Sequence, residues 1–522
     1  MKKQLFALLL MAGGAVLPHA AHGGDNVVSH LGDGVEYKVE MQSDFSDGLT
    51  PLWLNANRHG LSSLARTNGY VRGSVTRPLS ADSARNWGVG YCVDMVLPYN
   101  YTSVFVVQQA YAEVRWLHGV LTVGSKEYPM ELKNNRLSSG SQTLGINARP
   151  VPQVRLAIPE YYTFPFGKGW IHIKGHIAYG CMTDDNWQHR FTGRKSKYAD
   201  NVLYHSKAGY LKIGNAGKGF PLSVELGLEM AATFGGTAYV PDGSGNLIPM
   251  KSDNGVGAFW NAFVPGGHDA GETTYQNIEG NQLGSWVARV NWDTDKWRVS
   301  IYADKYFEDH SAMFQMDYDG YGQGSGWQIK KDNRYLLYDF TDIMLGAEFE
   351  WKKDWWVNGV VLEYINTKYQ SGPLYHDHTS AVPDHIGGKD NYYNHSIFTG
   401  WQHWGQVIGN PLYRSPIYNE DGRIMVKDNR FVAYHAGIGG HPLPRFSYRV
   451  LASWQEGLGT YDEPYDSKQH NVSLMVEGEY KFSSRLLGGW SVRGALGMDF
   501  GRLLGDNKGF QITLTKRGLL NR

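Results

Sequence analysis

Cysteine is nearly missing from this chain: there are two, Cys92 and Cys181, in 522 residues. Both lie in strand-like runs far apart in sequence, so no disulfide framework holds the fold and the thiols are expected to stay unpaired. An excess of either charge is missing too, with 50 Lys and Arg against 50 Asp and Glu. A nucleic-acid binder needs clustered positive charge to displace phosphate counterions, and that class is excluded. Mean hydropathy is −0.41, and beyond the N-terminus no apolar run is long enough for a transmembrane helix. A helical membrane bundle is therefore excluded. What the chain does have is 17 Trp, 33 Tyr and 64 Gly with only 19% charged residues, a composition of β-structure and turns.

Residues 1–23 read as a signal peptide. Lys2 and Lys3 precede the apolar run from Leu5 to Leu17, and Ala20-Ala21-His22-Gly23 gives a small-residue exit. No cysteine lies near its end, so a lipid anchor is not expected. The rest, 24–522, reads as one β-barrel, with 24–68 offering an N-terminal plug or periplasmic segment.

Alternation with period two dominates. Trp490, Val492, Leu496, Met498 and Phe500 share one phase, against Ser491, Arg493, Ala495 and Asp499. Val472–Phe482, Phe446–Trp454 and Leu345–Trp351 repeat the pattern, so each strand carries one apolar and one polar face. Three features favour a membrane barrel over a soluble sandwich. The runs are long: from Trp490 to Phe500, at about 3.3 Å per residue and about 40° of tilt, a strand rises roughly 25 Å. Aromatics (Trp297, Trp351, Trp355, Trp454, Trp490, Phe482, Phe500) sit at strand ends. Short turns, at 293–295, 353–354 and 214–220, alternate with long connections at 234–281, 309–343, 367–423 and 455–466. The fold class is therefore all-β: a large antiparallel transmembrane β-barrel of about 18 strands, with short periplasmic turns and long extracellular loops.

The inward phase would carry His172, Lys174, His176, Glu225, Glu229, Arg289, Arg298, Asp304, Glu348, Glu350, Arg449, Glu477, Glu479, Arg493 and Asp499. An ion-selective pore needs a ring of one sign, whereas mixed charge points to a cross-braced or closed interior. The carboxylate pairs Glu348/Glu350 and Glu477/Glu479 have the spacing of a glycosidase pair, but alternation produces such pairs on any charged face. His376 and His378, with Asp384 and His385, lack the partners of a metal motif. Asp317/Asp319 and Asp242 to Asn246 lack the terminal acid of a calcium loop. Neither a metal, a cofactor nor enzymatic activity is expected.

The loops hold the best binding candidates. Asp390, Asn391, Tyr392 and Tyr393 precede Trp401 and Trp404, with Trp260, Trp327 and Asp309 in neighbouring loops. Flat aromatics stack on sugar rings while Asp and Asn take hydroxyl hydrogen bonds. The same aromatics could instead fold the loops into a cap.

Six stretches in order resemble the Wzi family of capsule assembly proteins. They are Thr50-Pro-Leu-Trp-Leu-Asn-Ala-Asn-Arg-His-Gly60, Gly280-Asn-Gln-Leu-Gly-Ser-Trp286, Phe307-Glu-Asp309, Gln370-Ser-Gly-Pro373, Gly387-Gly-Lys-Asp-Asn-Tyr-Tyr-Asn394 and Gly405-Gln-Val-Ile-Gly-Asn-Pro-Leu412. The resemblance implies a closed eighteen-stranded outer-membrane barrel acting as a lectin that holds capsular polysaccharide at the cell surface. The partners would be that polysaccharide, outer-membrane lipid and the outer-membrane insertion machinery. An oligosaccharide channel and a surface glycan hydrolase are the rival readings.

Overall fold

The computed structural model describes residues 30–215, 219–264, 280–308, 316–318, 324–329, 334–336, 340–375, 386–484 and 486–520. The signal-peptide reading, Asp309 and the His376–His385 cluster lie outside the described residues.

Eighteen strands form one closed antiparallel sheet. In chain order they are β1 (Glu36–Asp47), β2 (Thr67–Arg77), β3 (Trp87–Tyr99), β4 (Val106–Trp116), β5 (Gly119–Ser125) and β6 (Gln153–Thr163). Then come β7 (Ile171–Cys181), β8 (Leu203–Gly214), β9 (Leu222–Phe234), β10 (Asn281–Asp293), β11 (Trp297–Glu308) and β12 (Ile343–Trp351). The last are β13 (Gly359–Asn366), β14 (Phe431–Leu443), β15 (Phe446–Gly459), β16 (Pro464–Lys481), β17 (Trp490–Gly501) and β18 (Asn507–Leu519). Each strand pairs with its neighbours in sequence, and β1 closes the ring by pairing with both β2 and β18. Closure joins the first and last strands, so the wall presents no free sheet edge to an apolar surrounding.

Alternation sorts the side chains as the pattern requires. On β17, Leu496, Met498 and Phe500 face out, whereas Ala495 and Asp499 are buried inside. At the short-turn end, Trp116, Trp355 and Trp356 are exposed, as a girdle at a membrane interface would be. Among the described residues no helix is long and apolar enough to span a membrane. Cys92 and Cys181 are both free.

One expected long connection is short. β15 runs on to Gly459 and β16 starts at Pro464, so only 460–463 intervene. The ladder continues to Gly457 opposite Gln469 and then shifts register. Polar residues beyond the apolar band had read as loop because a strand leaving the membrane no longer needs an apolar face.

The barrel is filled from its long-connection end. Within the 24–68 stretch, residues 36–47 belong to the wall, and the chain then turns inward through the helix Leu52–Asn55, all four residues of which are buried. Residues 126–152 between β5 and β6 and residues 390–430 before β14 also fold inward. These segments supply Trp53, Leu54, Leu137, Tyr392, Tyr393, Trp401, Leu412 and Tyr413 to one apolar core that also takes Tyr204, Tyr302, Tyr306 and Met344 from the wall. An apolar core inside a barrel wall excludes water from the bore, and it is the main reason the plug stays in place.

Below that core the inward charges brace one another. Glu477 accepts from Arg449 at 2.8 Å and from Arg58 of the inserted segment at 3.1 Å. Asp304 pairs with Lys133 at 2.5 Å, and Glu348 with Arg289 at 2.7 Å. Glu350 pairs with Arg298. The carboxylate pairs on β12 and β16 are thus largely occupied by arginines.

Candidate functional site

The end of the barrel that carries the long connections is closed by 390–430, and its geometry follows from how that segment is pinned. Tyr393 donates through its hydroxyl to the carbonyl of Gln142, and its ring stacks on Tyr413 with centroids 3.9 Å apart. Tyr306 meets Tyr392 edge-on at 4.8 Å. Trp401 donates from Nε1 to the carbonyl of Thr143 at 2.9 Å and lies parallel to Tyr204. Asn410 donates to Ser139 Oγ and the Gly140 carbonyl at 3.1 and 3.0 Å. Gly409 has no room for a side chain, since a Cβ there would fall 1.9 Å from the Tyr393 hydroxyl oxygen.

The structure therefore divides the expected sugar-contacting residues. Tyr392, Tyr393 and Trp401 are 1%, 0% and 0% exposed. Rings buried this deeply have no free face to offer, and they form the cap. Asp390 is buried as well, and its backbone N–H donates to the Gln370 carbonyl at 2.8 Å. Asn391 is half-buried at the surface; it donates to Asp462 at 3.2 Å and accepts from Asn394 and Asn429. Trp404 is half-buried at another part of the rim. Trp260 stands exposed on the helix Val256–Phe263, and Trp327 is half-buried. Asp309 lies outside the described residues. Asn391 and Trp404 are thus separated by the buried cap and do not make one continuous platform with Tyr392, Tyr393 and Trp401.

Two surface features were not legible from motifs. Beside Asn391, the Tyr461 ring lies 4.2 Å from Lys389 Nζ and 3.7 Å from the Arg430 guanidinium. Next to it, Arg423 bridges Glu463 and Asp421, and Lys427 also reaches Asp421 at 2.7 Å. Partial burial raises the Asp421 carboxyl, but Lys427 and Arg423 outweigh it and hold it at about 2. At the other rim, the Arg149 guanidinium stacks on Trp404 at 4.2 Å. Trp404 sits at φ 56°, and the His403 ring beside it has Nδ1 2.8 Å from the Arg149 carbonyl while its Nε2 accepts from the Thr183 N–H at 3.3 Å. Only the Trp and Arg residue types could have hinted at this pair, because 149 and 404 are brought together by two different inserted segments.

At the opposite end a polar vestibule of about 390 Å³ remains, lined among others by Lys212, Glu225, Arg289, Arg298 and Glu350, and floored by Leu132 to Asn135. Among the described residues no cluster of three or more His, Cys, Asp or Glu is arranged to hold a metal.

No protein-family model matches the chain, and no curated protein matches it by sequence. Solved structures do match. Wzi of Escherichia coli, an outer-membrane protein involved in group 1 capsule assembly and described as a carbohydrate-binding β-barrel, is 12% identical over 94% of this chain and 85% of that one, with a TM-score of 0.54. OprD of Pseudomonas aeruginosa is 8% identical, covering 94% of this chain and 96% of that one, with a TM-score of 0.43. The first likeness shows that the two chains share the barrel fold.

Proposed function

We propose that this chain is a non-enzymatic outer-membrane barrel, exported through an N-terminal signal peptide, that binds extracellular capsular polysaccharide and supports its assembly and attachment at the cell surface. The observation that carries the reading is the filled bore beneath a polar, aromatic-edged outer face. Tyr393, Trp401 and Tyr413 are fully buried where a channel would be open. The fold shared with Wzi and the six sequence stretches that resemble its family support the same reading. Asn391 and Trp404, with Trp260, Trp327, Asp390 and Asp309, are the proposed sugar contacts; Tyr392, Tyr393 and Trp401 shape the surface from below. Outer-membrane lipid surrounds the apolar wall, and the outer-membrane insertion machinery assembles it. A hydrolase is disfavoured because Glu348 and Glu477 are held by arginines in the lumen.

The test is the partition of surface polysaccharide between cells and medium, in a deletion strain and after complementation. The proposal expects the attached fraction to fall and the shed fraction to rise while total synthesis holds. An unchanged attached fraction would overturn it.

A further inference from the structure

Towards the long-connection end, the outer wall changes chemistry at one height. On β15 the outward phase is apolar from Phe446 to Trp454 and then turns to Glu456. Level with Trp454 stand Tyr434 on β14 and Tyr364 on β13, paired across the ladder. Their rings form a row, with centroids 5.3 Å apart between the tyrosines and 5.9 Å from Tyr434 to Trp454. Tyr434 is 55% exposed, whereas its inward neighbours Ala433 and His435 are buried. Such a row marks the edge of the hydrocarbon layer, as aromatic belts do in outer-membrane barrels.

Two cations stand directly above that row. Arg430 continues the outward phase of Tyr434 and Val432, four residues on. At about 3.3 Å per residue and about 40° of tilt that is roughly 10 Å of height, the level of a lipid headgroup. Its Nε donates to the Lys368 carbonyl at 3.0 Å, so the side chain lies across the top of β13. Tyr461, in the turn between β15 and β16, reaches the same place: its hydroxyl donates to the carbonyls of Tyr369 and Lys368 at 3.0 and 3.3 Å. The Arg430 guanidinium lies 3.7 Å and Lys389 Nζ 4.2 Å from the centre of this one ring. Among the described residues neither cation has a carboxylate partner, although Arg423 and Lys427 on the same rim are both paired. The nearby acids are engaged elsewhere: Asp342 accepts from the backbone N–H groups of Tyr369 and Gln370, and Asp462 accepts from Asn391. A ring face holds a cation in position without neutralising it.

We propose that Arg430 and Lys389, held on Tyr461, bind the phosphate of a lipid headgroup in the outer leaflet, with the acyl chains lying against Tyr434, Tyr364 and the exposed Leu362. Guanidinium and ammonium donors meet phosphate oxygens with charge-assisted hydrogen bonds, and each basic side chain at a bilayer surface adds to the attraction for anionic lipid. The inference goes beyond the polysaccharide-binding reading and does not rest on it; it requires only that the long connections face outward.

The experiment measures, by native mass spectrometry, the binding of lipid A to the full-length protein in neutral detergent, with the lipid's phosphates intact or enzymatically removed. Wild type is expected to bind the phosphorylated form at least about tenfold more tightly, two basic side chains each contributing. Lys389→Gln and Arg430→Gln should each cut that preference severalfold, and the double variant should bring it below about twofold. Lys508→Gln removes the same charge from a distant part of the outer wall and should leave the preference intact. Heat-modifiable migration checks that each variant folds, and the exposed Lys389 carries the test if Arg430→Gln does not. Equal binding of the two lipid forms by wild type overturns the proposal. A preference that falls as far in Lys508→Gln, or persists in every folded variant at 389 and 430, overturns the assignment to this patch. If inorganic phosphate alone raises the melting temperature of wild type but not of Lys389→Gln, and displaces no lipid A, the patch takes a free anion and the lipid assignment falls. If Lys389→Gln loses surface polysaccharide and keeps the lipid preference, the patch serves the polymer and the lipid proposal is wrong.

Discussion

Trp401 illustrates how burial reassigns a residue chosen for its chemistry. A tryptophan beside Asn and His is a natural sugar platform, yet its ring is stacked on Tyr204 and its Nε1 is bonded to Thr143. Replacing it with Ala should cost about 3–5 kcal/mol of cap stability, the range for truncating a buried aromatic. Protease protection of 390–430 would report the loss, and an unchanged cleavage rate would refute the packing role. Lys133 and Asp304 make a second residue-scale case. They are 2% and 0% exposed, and the Gln142 backbone N–H also donates to Asp304 at 3.1 Å. Lys133→Met strands a buried carboxylate and should destabilise by about 3–5 kcal/mol, while Lys133→Met with Asp304→Leu recovers part of it. Denaturant midpoints of the refolded barrel in detergent distinguish the two outcomes; an equal loss in single and double variants would mean the pair itself was not the cause.

At the scale of elements, the strands and a closed interior were legible, and the path of the segments that fill the bore was not. The period-two pattern located β12, β15, β16 and β17 because lipid on one side and core on the other impose opposite demands on successive residues. No comparable rule governs 126–152 or 390–430, which lie inside the bore with little regular structure. Their apolar residues follow no period, since each is fixed by contacts with segments distant in the chain, as Asn410 is by Ser139 and Arg149 by Trp404. The aromatics proposed as sugar contacts were found as residue types, but which of them face outward depended on that packing. The β15–β16 hairpin shows a further device. Asp428 is fully buried at its base, with Gln455 Nε2 donating at 2.9 Å and the Gly459 N–H at 3.2 Å. Burial, only partly offset by these bonds, pushes its carboxyl up to about 7. The folded form therefore keeps a proton that the opened form would release above about pH 4. Its stabilising contribution is complete below about 4 and is lost as pH rises through about 7. Hydrogen exchange around Gly459, corrected for intrinsic rate, should show easier opening at about pH 8 than at about pH 5.5, and Asp428→Asn should flatten the dependence. A flat wild-type profile would show that Asp428 is not the group that titrates.

For the whole molecule, the question is whether an 18-stranded ring conducts. A wall of this circumference leaves a bore wide enough for solute when nothing fills it. Here the bore is shared by three inserted segments that grip one another: Asn57 Nδ2 donates to the Ser139 carbonyl at 2.9 Å, and Asn147 Nδ2 to the Val407 carbonyl at 3.0 Å. The first and third are joined directly as well, by Asn55 to Tyr418 at 3.2 Å and Gln406 to Ser62 at 2.8 Å, so each segment holds both others and the plug should be lost cooperatively and not in proportion to the residues deleted. The intact protein in a planar bilayer should then show little steady conductance. A variant in which 132–146 is replaced by a short Gly-Ser linker should show large, long-lived openings while keeping the heat-modifiable migration of a folded barrel. Steady large openings in the intact protein would instead mean that the plug swings aside on its own, and the vestibule floored by Leu132 to Asn135 would become the mouth of a channel. Silence in both proteins would mean that the remaining two segments close the bore without the third, and the cooperative clasp would be wrong.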